Sequence, residues 1–310
     1  MTRVGAVDLG TNSTRLLVAD VADGSLAAVE RRLAITRLGE GVDGRRRLLP
    51  VPIARVRNVL SEYRRVADAL GAERVLAVAT SAVRDADNGE AFLGEIEWSY
   101  GFETRLLSGD EEAALTVRGV SAGRPLAPGA LVVDVGGGST ELVEPGGFRL
   151  SLDIGCVRLT ERFGDDVGAL RGAAAALLGE QVPDEVAART RELVAVAGTA
   201  TTLATLDLGL PEEVPALVDG HRVTAQGVER QLARLAPLTV EERRRVVGLD
   251  PERAPVFVAG VAIVAETLRR FGLDAVEVSE HDLLDGAALA AAELPARVEG
   301  DAPPGAYTCC

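Results

Sequence analysis

The sequence predicts an α/β protein of two domains, built by duplication, with its ligand clamped between the halves. Two short stretches carry the prediction. Leu131-Val132-Val133-Asp134-Val135-Gly136-Gly137-Gly138-Ser139-Thr140-Glu141-Leu142-Val143 reads as a buried strand bearing one acid, a glycine turn and a return strand. Val7-Asp8-Leu9-Gly10-Thr11-Asn12-Ser13-Thr14-Arg15-Leu16 repeats residues 133–142 with Val, Asp, Gly, Ser, Thr and Leu at equal offsets. Two copies of one device, each opening half of the chain, indicate an internal repeat. Length agrees, since 310 residues with 47% hydrophobic side chains can bury two sizeable cores. The expected boundaries are 1–127 and 128–283, with a helix at 284–294 packing back on the first domain and a flexible tail at 295–310.

In chain order, residues 2–9 and 13–20 read as strands around the first turn, and 25–37 as a third, making an antiparallel meander. Residues 38–52 form a glycine-rich basic loop holding Arg45, Arg46 and Arg47. It is either a lid or chain-guide beside a phosphate site or a solvated charge run. A helix follows over 53–70, then a strand at 74–80. The Ser81, Asp85, Asp87 and Asn88 cluster caps a helix running toward Trp98 and puts Arg84 at the carboxyl end of that strand, where α/β sites lie. There Arg84 can grip an anion with two nitrogens or pair with Asp85 or Asp87. After a strand at 102–107, Ser108 and Glu111 have capping-box spacing, which assigns Glu111 to the helix N-terminus and leaves Glu112 as the general-base candidate.

The Pro/Gly linker at 124–129 leads into the second copy, followed by a third strand near 148–154 and the start of a helix at 155–163. Residues 166–191 read as alanine-rich helix. A strand from 192 runs into Gly198-Thr199-Ala200-Thr201-Thr202, a helix start that is either an anion or nucleotide cradle or an ordinary threonine cap. Helices at 224–235, 239–246 and 252–271, a strand at 275–279 and an alanine-rich helix complete the chain.

The glycine turn suggests the chemistry. Without Cβ atoms, the N–H groups of Gly136, Gly137 and Gly138 can approach a ligand and form an anion nest, faced by Asp134. A phosphate with Mg²⁺ between it and Asp134 fits, because Mg²⁺ takes one or two carboxylates with phosphate oxygens and water. All 33 basic residues are arginine, which excludes a P-loop lysine, a Schiff base and pyridoxal-phosphate chemistry. With only His221 and His281, a three-histidine zinc site is impossible and carboxylates must do the acid–base work. A net charge of −14 argues against a nucleic-acid surface. No stretch approaches the roughly 18 apolar residues of a membrane span. Cys156 stands alone and Cys309 and Cys310 are vicinal, which is neither a disulfide framework nor a metal knuckle, so a reducing cytoplasm is expected.

The successive meander and βαβα pattern resembles the duplicated actin-like ATPase fold of acetate and sugar kinases, Hsp70 and actin, which is ribonuclease H-like. More narrowly, residues 7–13, 79–88, 107–113, 133–141, 198–202 and 248–254 resemble the successive motifs of the exopolyphosphatase/guanosine pentaphosphatase (Ppx/GppA) family. The resemblance covers residues 2–294 and is similar to the short, two-domain actinobacterial type, without the extra C-terminal helical domain of larger members. At Ser279-Glu280-His281-Asp282-Leu283-Leu284-Asp285-Gly286 the chain departs from many members, where an arginine commonly precedes the last glycines.

The resemblance implies hydrolysis of a terminal phosphoanhydride, in inorganic polyphosphate or in guanosine pentaphosphate (pppGpp), by a homodimer. It implies Glu112 as the base acting on water and Arg84 as a catalytic residue that clamps phosphoryl oxygens. Asp134, Glu141 and Asp8 would hold Mg²⁺ or another divalent ion such as Mn²⁺, and Asn12, Ser13, Gly136, Gly137, Gly138, Ser139 and Thr199 would bind phosphoryl oxygens. An ATP-using kinase and a silent phosphonucleotide sensor are the rivals. The charge and the shortness of the chain lead to an expected preference for short polyphosphates.

Overall fold

The computed structural model describes residues 1–295; the rest of the expected tail, with Cys309 and Cys310, lies outside the described residues. The chain divides into two compact units, Met1–Arg124 with the segment from Leu283, and Pro125–Asp282.

The first unit is a five-stranded sheet of β1 (Thr2–Leu9), β2 (Ser13–Ala22), β3 (Ser25–Ile35), β4 (Arg74–Ala79) and β5 (Glu103–Leu106), ordered β3-β2-β1-β4-β5. β1 to β3 are an antiparallel meander, and β4 and β5 extend the sheet parallel to β1. Side chains alternate across β1: Val7 and Leu9 pack with helices Pro50–Ala69 and Gly89–Tyr100, whereas Val4 and Ala6 pack with helix Leu283–Ala292. Both faces are covered, so from Val4 to Leu9 β1 reads as a continuous apolar run broken only by Asp8.

The second unit repeats the plan with β6 (Ala130–Val135), β7 (Thr140–Val143), β8 (Arg149–Leu152), β9 (Glu192–Val196), β10 (Arg222–Thr224) and β11 (Ala275–Val278), ordered β10-β11-β9-β6-β7-β8. Read from β8, the order β8-β7-β6-β9-β11 matches the first unit strand for strand, with β10 added antiparallel at the edge. The fold is therefore the duplicated α/β architecture expected from the repeat.

Several boundaries differ from the sequence reading for local reasons. The expected helix at 166–191 is two, Val167–Gln181 and Asp184–Arg189, broken where Pro183 lacks an N–H and forces Val182 out of helical geometry. The helix expected from 252 begins at Phe257, because residues 250–256 fold into turns that include a bond from Glu252 N–H to Asp250 Oδ1. The helix expected at 53 starts at Pro50, where proline suits the first helical turn. β10 was not expected at all; it ends at Thr224, the first residue of the stretch read as a helix.

Helix Leu283–Ala292 closes the first unit against helix Gly109–Gly123 at a point where only glycine fits. A Cβ on Gly286 would lie 1.9 Å from the Leu115 carbonyl oxygen. Beside it, Asp285 is fully buried and accepts from Arg31 Nη2 at 2.5 Å, within the stretch where the sequence departs from the pattern it resembles. Gly286→Ala is expected to destabilise the unit by about 1–3 kcal/mol through forced helix separation. Urea denaturation checks it, and an unchanged midpoint would mean that the two helices separate without cost.

Candidate active site

In the first turn, Gly10 N–H donates to Ser13 O at 3.0 Å and closes the hairpin. The carbonyls inside the turn point at the segment after β3: Thr11 O accepts from Gly39 N–H, and Asn12 O accepts from both Thr36 and Arg37 N–H. In a planar trans peptide the next residue's N–H points opposite to the carbonyl. The N–H groups of Asn12 and Ser13 therefore face away from that segment. The strand register sets Asp8 opposite Arg15, and Arg15 Nε donates to Asp8 Oδ2 at 3.0 Å. Asp8, expected as a metal ligand, thus has a protein cation beside it.

The second turn has the same closure, with Gly136 N–H bonded to Ser139 O at 3.0 Å. Its carbonyls face helix Cys156–Phe163: Gly136 O accepts from Cys156 N–H, Gly137 O from Val157 and Arg158 N–H, and Gly138 O from Arg158 Nε at 2.6 Å. By the same planarity, the N–H groups of Gly137, Gly138 and Ser139 all turn to the opposite side. Gly136 N–H is used in the turn itself. The helix can come this close because Gly155 has no side chain; a Cβ there would sit 2.3 Å from Gly137 O. These glycines serve close approach and not left-handed backbone, since none of Gly136, Gly137, Gly138 or Gly155 has positive φ.

Register again decides what faces the strand acid. Asp134 is paired with Glu141, and Glu141 with Ser151, so a row of Asp, Glu and Ser crosses β6, β7 and β8. Glu141 is completely buried, Asp134 nearly so, and Ser151 Oγ donates to Glu141 Oε1 at 2.8 Å. Where the first unit sets an arginine opposite the aspartate, the second sets a second carboxylate. No cluster of three or more His, Cys, Asp or Glu able to hold a metal exists among the described residues.

Glu112 and Arg84 are brought together, as neighbours at the carboxyl edge of β4 and β5. Glu112 lies in the first turn of helix Gly109–Gly123, 6% exposed, and Arg84 Nη1 donates to Glu112 Oε2 at 3.1 Å and to Leu107 O at 2.8 Å. The ion pair of Arg84 is with Glu112 and not with Asp85 or Asp87. Glu111 forms the capping box with Ser108, accepting from its N–H at 2.8 Å and from its hydroxyl at 2.7 Å. Asn88 does not cap the following helix with its side chain; it bridges to Leu48 N–H and O.

The turn at Gly198 is not an open cradle. A Cβ on Gly198 would meet Arg253 Nη1 at 1.5 Å, so that guanidinium lies directly on the glycine. Thr199, expected to bind phosphate, is buried, and Gly260 comes so close that a Cβ there would be 2.7 Å from Thr199 Oγ1. Its hydroxyl belongs to the packing of helices Ala197–Asp207 and Phe257–Phe271. Arg158 and Arg253 escape the sequence reading, because only the folded chain shows which glycines they cover. Cys156 is buried, and burial pushes its thiol up to about 11, so it is an inert packing residue.

The fold and these turns define a duplicated α/β protein whose two glycine turns present N–H groups beside buried strand acids. Residues 17–293 match the Ppx/GppA phosphatase family. The chain is 40% identical to exopolyphosphatase 2 of Mycobacterium tuberculosis over 94% of its own length and 99% of the relative's. Among solved structures, an exopolyphosphatase-like protein superposes with a TM-score of 0.86 at 33% identity, covering 93% of this chain and 97% of that one. A Ppx/GppA family member from Aquifex aeolicus gives 0.78 at 31% identity, with 93% and 97% covered. The chain belongs to the Ppx/GppA family and is an enzyme of that phosphatase class. Among the described residues, no helix is long and apolar enough to cross a membrane.

The two adjacent glutamates can be separated by experiment. The Ser108 hydrogen bonds hold the Glu111 carboxyl below its ordinary range. A depressed folded-state value contributes stability above the unfolded-state value and loses it as pH falls through the folded one. Glu111→Gln is expected to cost a few tenths to about 1 kcal/mol near neutrality, with the difference from wild type closing in acid. Denaturation midpoints at the two pH values check it, and a constant gap would remove the carboxylate from the cap.

Proposed function

We propose that this chain is an exopolyphosphatase, which uses water to cleave the terminal phosphoanhydride of inorganic polyphosphate and releases orthophosphate. The observation that carries the reading is the second turn: three consecutive N–H groups turned to one side, at the end of a strand whose acid stands opposite a second carboxylate. A nest of that kind suits a phosphoryl group. The relatives named as exopolyphosphatases support the same substrate class.

Asp134 and Glu141 fit a divalent ion, and Mg²⁺ in particular, since two hard carboxylate donors with phosphate oxygens and water satisfy it. When bound, the ion would neutralise charge on the phosphoryl oxygens, the dominant need in phosphoryl transfer. Asp8, already bonded to Arg15, is assigned a structural role in this reading. Glu112 accepts the proton of the attacking water at its carboxylate, and Arg84 holds that carboxylate in place while offering its remaining N–H donors to the phosphoryl group. In the second unit the N–H groups of Gly137, Gly138 and Ser139 bind and orient phosphoryl oxygens, and in the first unit those of Asn12 and Ser13 offer the same donors.

pppGpp presents the same terminal bond. The guanidinium of Arg253 against Gly198, where a nucleotide was an expected occupant, favours polyphosphate over it. The net charge of −14 repels a long polyanion, so we assign a preference for short chains.

Phosphate release from short polyphosphate and from pppGpp, side by side with and without Mg²⁺, tests the reading. Release from polyphosphate that needs the metal is the expected result. Glu112→Gln keeps the shape and loses the proton acceptor, so turnover should fall by about 10²–10⁴ with folding unchanged. Full turnover in that variant would remove Glu112 from the mechanism.

A further inference from the structure

The basic loop between β3 and helix Pro50–Ala69 is neither a lid nor a free charge run. Leu38, Val42 and Leu48 are buried in the core of the first unit. At one end the loop is tied to the first turn, through Gly39 N–H to Thr11 O at 2.8 Å and Arg37 N–H to Asn12 O at 2.9 Å. A Cβ on Gly39 would lie 2.3 Å from the Thr11 methyl, so this seam closes only on glycine. At the other end it is tied to the segment that carries Arg84: Asp87 N–H donates to Arg46 O at 2.8 Å, and the Asn88 amide brackets Leu48. The loop is a fixed wall.

Arg46 is held on that wall with φ +52, a left-handed conformation unusual for a side-chain-bearing residue. Only four such residues other than glycine occur among the described residues, and Arg37 and Arg46, at the two tied ends of the loop, are two of them. The arginine side chain stays exposed, with Nη1 3.9 Å from Asp85 Oδ1, the residue after Arg84. Arg45 and Arg47 flank it, both exposed, and Arg47 makes no ion pair among the described residues. Glu40 and Asp43 are the acids on the loop itself, and the pair of Arg46 with Asp85 is long and exposed. Such a pair is weak and yields to a phosphate.

We propose that Arg46, flanked by Arg45 and Arg47, is a binding subsite for the phosphates of the chain that follow the one held at Arg84. The inference rests on the exopolyphosphatase reading and adds a place for the remainder of the substrate. In a molecule with 47 acids and 33 arginines, a rigid run of three exposed arginines one residue away from the Arg84 segment concentrates positive charge where a polyanion must leave the site. The tied backbone matters, because an arginine on a fixed segment loses less freedom on binding than one on a mobile loop.

Steady-state hydrolysis of tripolyphosphate and of a long polyphosphate by wild type, Arg46→Gln and Arg46→Lys tests it. Loss of one charge-assisted contact should raise KM for the long chain by about five- to tenfold, more than any fall in kcat, with a smaller rise for tripolyphosphate. Arg46→Lys should recover most of the loss, and a double Arg45→Gln, Arg47→Gln variant, which leaves the left-handed residue in place, should move KM in the same direction. If wild type and all variants share one KM at both lengths, or if kcat falls while KM holds, the subsite is refuted and the exopolyphosphatase reading stands. If wild type releases phosphate from neither polyphosphate, the exopolyphosphatase reading fails and the subsite with it.

Discussion

The carbonyl groups of the two glycine turns face into the protein, and the character of both candidate sites depends on that. In the first unit they accept from Thr36, Arg37 and Gly39; in the second they accept from the N-terminal turn of helix Cys156–Phe163 and from the Arg158 side chain. Planar peptides then leave the intervening N–H groups no choice of direction. The partners differ completely between the units, a loop in one and a helix in the other. The outcome is the same, which explains why the duplicated segment keeps glycine at its first turn position, where a Cβ would stand 2.9 Å or 3.1 Å from the serine carbonyl.

The same hairpin closure sets the cross-strand register, and through it the electrostatic difference between the halves. Opposite Asp8 stands Arg15; opposite Asp134 stands Glu141. Like charges directly across a ladder are destabilising, more so when buried, and a counter-charge beside the pair relieves that cost. On the proposed reading that counter-charge is the divalent ion. On that reading, one residue at one register position, arginine or glutamate, separates a copy of the device with a protein cation beside its acid from one that takes the ion.

Much of this was legible in the sequence where the signal is local. The duplicated device, the capping box of Ser108 and Glu111, and the consequent singling out of Glu112 follow from spacing alone, and the structure sets Glu112 against Arg84. The ion pair of Asp8 with Arg15 was in principle readable from the same alignment, because the two halves differ at that offset. What could not be read depends on contacts distant in sequence. Arg253 covering Gly198, Thr199 packed against Gly260, Arg158 reaching Gly138 O, and Asn88 turned from its cap to Leu48 are all set by tertiary packing. In the loop at 38–52 the arginines are exposed, as a solvated charge run would have them, but Leu38, Val42 and Leu48, which pin the loop, are too sparse to show a period.

The central claim is that the two copies of the device have diverged into one that carries its own cation and one that takes a metal. Titration with Mn²⁺, a paramagnetic substitute for Mg²⁺, followed by electron paramagnetic resonance on wild type and Glu141→Gln, tests it most directly. The account predicts a single bound ion per chain that is lost or greatly weakened in Glu141→Gln. A second ion of equal affinity, or a single ion indifferent to Glu141→Gln, would contradict it.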